Sequence, residues 1–327
     1  MSRKRASLSI IAILFGGTAM AEVPKVAVDV APVHSLVARI MEGVGAPALI
    51  LQPGASPHEY SLRPSEAAAL QEADLVFWVG EDLTPWMKDA IETLANDAAV
   101  TTLLETDGTT LLAFREGTLF EEHDDHGHDD HDHEDHAGDD EHGHDDHGDK
   151  DDAGHDHGAY DPHAWLSPKN AGTWLNTIAA QLSATDPGNA SVYFANAAAA
   201  RGELDSVSAE VNATLDAKRG GNFIVFHDAY QYFENDFDFP AAGAISLSDA
   251  TDPSPARITE IQQRIRDEGV DCVLAEPQFN PGLVSTVLDG TEAETAVIDP
   301  IGVNLEPGPT LYPQLIRNMA KTLADCL

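Results

Sequence analysis

The chain has 327 residues, 43% of them hydrophobic, and a formal net charge of −38. That length accommodates two domains, and no segment beyond the extreme N-terminus is long and apolar enough to cross a membrane as a helix. So acidic a chain is a poor ligand for nucleic acid or anionic membranes and a good one for cations.

The first residues read as an export leader. Arg3, Lys4 and Arg5 form a basic region, an apolar run follows from Leu8 to Phe15, and Ala19-Met20-Ala21 is a small-residue cleavage site. The mature protein is therefore expected to begin near Glu22 and to be exported in soluble form. No Cys follows the cleavage site, so a lipid anchor there is unsupported.

Short apolar runs then alternate with helical patterns. Strands are expected at 26–30, 48–51, 75–79 and, more weakly marked, 101–104. Later strands are expected at 223–226, 242–245, 272–275 and 296–298. Thr84-Pro85 and Ser167-Pro168 each read as an N-cap followed by proline at the first helical position. Such alternation predicts an α/β fold: two similar lobes, each with a four-stranded, mostly parallel sheet covered by helices. Between them, Tyr193, Ala197, Ala200, Leu204, Val207, Val211 and Leu215 recur every three or four residues, which is one helical face. Asp186-Pro187 reads as the start and Gly220-Gly221 as the end. A helix of about 30 residues spans roughly 45 Å; the alternative is two ordinary helices split near Gly202. The expected organisation is a leader at 1–21, a first lobe at 22–188, a linking helix at 189–219 and a second lobe at 220–327.

The first lobe is interrupted at 121–157. That stretch holds eleven of the 15 histidines and eighteen acids, with Lys150 its lone basic residue apart from histidine. It has no aliphatic side chain larger than Ala, so burial cannot offset the entropy of ordering it, and a mobile loop is expected. The pairs His126 and His128, His131 and His133, His142 and His144, and His155 and His157 predict weak metal sites. Such a loop either gathers metal for a tighter site or is a solvated acidic tether.

Four histidines lie outside the loop. His227 is the first polar residue after an apolar strand, His58 follows another strand on a loop stiffened by Pro53, Gly54 and Pro57, and His163 sits just ahead of the Ser167-capped helix. Ligands of open α/β sheets collect beyond the carboxyl ends of the strands, so these three can converge where two lobes meet. Three neutral imidazoles suit zinc, whereas manganese calls for more carboxylate oxygen. The fourth position falls to water or an acid, with Asp299 the first candidate and Glu59 the second. His34 also follows a strand and is not excluded on these grounds. Cys272 and Cys326 are the only cysteines, and export favours their pairing in a disulfide.

These segments resemble a known family. Gly54-Ala55-Ser56-Pro57-His58-Glu59-Tyr60, Asp161-Pro162-His163-Ala164-Trp165-Leu166-Ser167-Pro168, Phe226-His227-Asp228-Ala229-Tyr230-Gln231-Tyr232-Phe233-Glu234 and Ala275-Glu276-Pro277-Gln278-Phe279 look, in this order, like the motifs of zinc-specific solute-binding proteins of ABC transporters, the ZnuA type. The resemblance extends over the mature chain and includes the His-rich insertion. It implies two lobes joined by a long backbone helix, Zn2+ held between them by His58, His163 and His227, a structural role for His34, and a Cys272–Cys326 disulfide. An acid at the position of His227 would mark manganese-specific relatives. Some zinc-binding members carry Glu just before the first ligand; Pro57 stands there, which leaves the fourth ligand between water and Asp299.

The expected function is capture of Zn2+ in the periplasm, without catalysis, for delivery to an ABC permease in the inner membrane, by a monomer that a periplasmic metallochaperone could also load. The rivals are a zinc buffer that meets no transporter, a manganese receptor, and a zinc hydrolase, for which no general base or oxyanion donor is evident.

Overall fold

The computed structural model describes residues 22–115, 120, 160–246, 253–279 and 281–327. The leader and the loop histidines from His126 to His157 lie outside them.

Two parallel sheets form from the short apolar runs. The first comprises β1 (Val26–Val28), β2 (Ala48–Leu49), β3 (Leu75–Trp78) and β4 (Ala99–Thr102), in the order β2-β1-β3-β4. Ala27 stands opposite Ala48 on one side and Val76 on the other. Helices α1 (Ala31–Ile40), α2 (Pro64–Gln71) and α3 (Pro85–Leu94) cross between these strands. The chain continues through α4 (Pro168–Thr185) and α5 (Ala190–Asp216). The second sheet repeats the pattern with β5 (Phe223–His227), β6 (Gly243–Ser246), β7 (Cys272–Ala275) and β8 (Glu294–Val297), in the order β6-β5-β7-β8. Its helices are α6 (Gln231–Phe237), α7 (Pro255–Glu268), α8 (Pro281–Leu288) and α9 (Leu311–Cys326).

Several boundaries differ from the sequence expectation, for physical reasons. The strand expected at 101–104 is β4 at Ala99–Thr102, and the one expected at 296–298 is β8 at Glu294–Val297. Both are edge strands whose first two residues are exposed, so apolarity does not mark where they begin. His227 is the last residue of β5, paired with Ser246, rather than the first residue beyond it. Asp186 caps the end of α4, and a 3-10 turn at Pro187–Asn189 intervenes before α5 starts. The Asp186 carboxylate holds that corner by accepting from Tyr193 Oη at 2.9 Å and Asn189 Nδ2 at 2.6 Å.

Helix α5 is continuous through Gly202 over its 27 residues. Its buried face consists of the seven residues that recur in the sequence, Tyr193 to Leu215. It packs on α4, α9 and α1, and these helices share a core that reaches both sheets. Burying side chains as large as Trp165, Trp174 and Tyr312, all fully covered, contributes about 1.5–3 kcal/mol each for side chains of this kind. The outer face of each sheet has its own smaller core. Cys272 of β7 is disulfide-bonded to Cys326 at the end of α9, which ties the last helix to the centre of the second sheet. Among the described residues no helix is long and apolar enough to cross a membrane.

Candidate metal centre

Each of the three histidines is presented by a different kind of local structure. His58 rides on the loop from β2 to α2. Gly54 opens that loop with a φ of +86°, a left-handed conformation that costs a residue with a side chain roughly 1–2 kcal/mol. Trp86 of α3 donates from Nε1 to the Pro57 carbonyl at 2.7 Å and packs against the Tyr60 ring. Tyr60 in turn donates to Glu66 Oε1 at 2.9 Å, while Glu66 Oε2 accepts from the Arg63 amide at 2.8 Å and so caps α2. The His58 loop is thereby clamped to two helices.

His163 follows a tight turn in which its amide donates to Asp161 Oδ1 at 2.9 Å. The same oxygen lies 2.7 Å from His163 Nδ1. Ser167 caps α4 by accepting from the Asn170 amide, and its own hydroxyl donates across to Asp236 of the second lobe at 2.7 Å. His227 ends β5, and Glu276 directly follows the neighbouring strand β7. Their carboxyl ends are adjacent at the point where the strand order reverses, where open α/β sheets place ligands. His227 Nδ1 lies 2.6 Å from Glu276 Oε1, and Gln278 donates to Glu276 Oε2 at 2.8 Å.

The three imidazoles converge. One ring nitrogen from each lies within 4.8 Å of those of the other two, and among the described residues this is the one cluster with metal-binding spacing. His163 and His227 are buried and His58 is partly exposed. Trp165 and Phe279 wall the site, with ring centroids 5.3 Å from His163 and 5.5 Å from His227.

The carboxylates decide the chemistry. With Nδ1 of His163 and of His227 turned to Asp161 and Glu276, Nε2 is the ring nitrogen that each offers to an ion. Those two atoms lie 3.4 Å apart. Two nitrogens bound to one tetrahedral zinc at roughly 2.0–2.1 Å stand about 3.3–3.4 Å apart, so the observed spacing is already that of a tetrahedral edge. Carboxylate support of ligating histidines fixes the tautomer and raises basicity. Burial pushes the Asp161 carboxyl up to about 7, against the opposing pull of the His163 amide and Arg115. A bound dication adds to that pull and favours the carboxylate.

The remaining candidates are not part of that three-histidine cluster. Asp299 is outside the cluster, and its Oδ1 accepts from the amides of Ile301 and Gly302 at 3.2 and 2.8 Å. Glu59 is exposed. His34 is buried in α1 with Nε2 3.2 Å from the Pro47 carbonyl, and burial lowers its pKa. Asp161 and Glu276 are not among the ligand candidates that the sequence marks. The signals for them are an acid two residues before His163 and an acid directly after the strand beside the one that carries His227.

The family described as "ZnuA: Zinc-uptake complex component A periplasmic" matches residues 26–326. The chain belongs to the ZnuA family. It is therefore a periplasmic binding component of a zinc-uptake system, not an enzyme. It is 49% identical over 317 residues to the high-affinity zinc uptake system protein ZnuA of Brucella abortus (strain 2308), covering 96% of this chain and 95% of that one. It is 45% identical over 327 residues to the ZnuA of Paracoccus denitrificans (strain Pd 1222), covering 99% and 98%. A crystal structure of ZnuA shares the fold with a TM-score of 0.71 at 19% identity, over 93% of this chain and 98% of that one. A zinc-bound deletion mutant of ZnuA does so with a TM-score of 0.70 at 20% identity, over 93% and 97%.

Proposed function

We propose that this ZnuA-family chain takes up Zn2+ as cargo at the seam between its lobes through Nε2 of His163, Nε2 of His227 and a ring nitrogen of His58. The convergence of three ring nitrogens within 4.8 Å of one another, with a carboxylate beside Nδ1 of both His163 and His227, carries this reading. Three neutral imidazoles plus a dication leave a double positive charge, which the Asp161 and Glu276 carboxylates balance. A neutral water therefore suffices at the fourth position. Asp299, with Oδ1 already held by two amides, is the other candidate.

The domain organisation fits capture at a seam: a first lobe at 22–188, a linking segment at 189–219 and a second lobe at 220–327, after a leader at 1–21. His58 and His163 belong to the first lobe and His227 to the second, so coordination favours one relative arrangement of the lobes. An ABC permease in the inner membrane recognises that arrangement and receives the ion. The protein works as a monomer, and a periplasmic metallochaperone is a second donor of cargo. The histidine pairs of 121–157 add weak sites.

Calorimetric zinc titration of the full chain and of a chain lacking 121–157 tests this. One tight equivalent should remain after deletion while the weaker equivalents disappear. Complete loss of tight binding on deletion would move the site out of the lobes.

A further inference from the structure

Arg115 lies on the first-lobe segment that precedes the insertion, yet its guanidinium is mostly buried against the second lobe. Nη1 bonds Glu234 Oε2 at 3.0 Å and Nη2 lies 3.1 Å from Asp228 Oδ1. The Phe120 ring covers the other side, 3.8 Å from Cζ. Asp228 adjoins His227, and Glu234 lies on α6, the helix that follows it. The Arg115 segment is also fixed to the one that orients His163. The Asp161 amide donates to the Leu112 carbonyl at 2.9 Å, and Ala113 bridges Tyr160. Tyr232 of α6 completes the link: its hydroxyl donates to the Asp161 carbonyl at 2.7 Å and accepts from the Leu112 amide at 3.0 Å.

A closed path of polar contacts and short backbone segments thus runs from His163 through Asp161 to the Arg115 segment, across the seam to α6 and Asp228, and along the chain to His227. The ends of that path are the two Nε2 atoms at 3.4 Å. We propose that Arg115 is a positioning residue for the metal site: bridging Asp228 and Glu234, it holds the two ligand-bearing segments at zinc spacing before the ion arrives. A guanidinium suits the task because its planar fork engages two carboxylates at once, which a lysine point charge does not. The inference rests on the zinc site proposed above.

The test compares wild type with Arg115→Met, Arg115→Lys, Glu234→Gln and His227→Ala in the full chain. Zinc affinity is read by chelator competition, zinc release by stopped flow, and ligand geometry by the visible spectrum of the cobalt(II) form. Arg115→Met is expected to weaken zinc by about 10–100-fold, as loss of outer-shell support does, with faster release and a weakened tetrahedral cobalt spectrum. Arg115→Lys should recover only part of this. Glu234→Gln, which keeps the shape and an acceptor for the Ala241 amide, should show a smaller loss and reports on the clamp if Arg115→Met fails to fold. Wild-type affinity and spectrum in a folded Arg115→Met or Glu234→Gln chain would overturn the proposal, even if melting temperature fell. If His227→Ala binds like wild type, the zinc-site reading itself fails.

Discussion

Glu276 Oε1 sits 2.6 Å from Nδ1 of His227, joining the ends of the two central strands of the second sheet. The carboxylate is fully buried, and its second oxygen accepts from Gln278. This contact decides which nitrogen of His227 is offered to an ion. Glu276→Gln keeps an acceptor for Nδ1–H but removes the negative charge. It is expected to lower zinc affinity by about 10–100-fold with the fold intact, as measured by chelator competition alongside circular dichroism. Unchanged affinity would remove the carboxylate from the account of the site.

Zinc affinity should fall steeply as pH drops toward 6. Each ligand must be a neutral imidazole, and a proton competes for the same lone pair. With three such ligands the slope should exceed one proton per ion in calorimetric titrations at graded pH. An affinity independent of pH over that range would contradict imidazole coordination.

Apo-protein stability should carry a different pH signature from Asp29. Its carboxyl is buried, and despite accepting from the Val30 and Val79 amides it is pushed by burial from 3.8 up to about 7. The folded state therefore binds this proton more tightly than the unfolded state. Its contribution is complete below 3.8 and is lost as pH rises to about 7. Denaturant titrations of wild type and Asp29→Asn, without metal, should show the wild-type advantage shrinking across that window. A difference that does not vary with pH would refute the assignment.

Trp86→Phe should loosen the His58 loop by removing the bond to the Pro57 carbonyl while keeping a ring against Tyr60. A stability loss of about 1 kcal/mol is expected, with zinc affinity a few-fold weaker. Equilibrium unfolding and competition titration measure the two effects separately.

Cys326→Ser opens the link between β7 and α9 and should cost about 2–4 kcal/mol. Zinc stoichiometry should be unchanged, because the disulfide lies in the core of the second lobe and the ligands lie at the seam. Chemical denaturation and calorimetry check the pair of outcomes.

Most of this architecture is legible in the residues. The central strands, such as Leu75–Trp78 and Phe223–His227, are buried on both faces and read as unbroken apolar runs. The buried stripe of α5 is visible because seven residues keep helical spacing. The edge strands are not marked, since Ala99, Val100, Glu294 and Thr295 are exposed and carry no apolar signature. The convergence of His58, His163 and His227 could be anticipated from their places at strand and helix ends. The pairing of His227 with Glu276 could not, because it depends on β7 lying beside β5 although 49 residues separate the two side chains. Arg115 was hidden for the same reason: its partners belong to the other lobe.

The most direct test is a zinc-edge anomalous map from crystals of the zinc-loaded protein. The strongest peak should lie between the lobes, roughly 2.0–2.1 Å from one ring nitrogen each of His58, His163 and His227. A strongest peak elsewhere, with those three nitrogens unbound, would contradict the site.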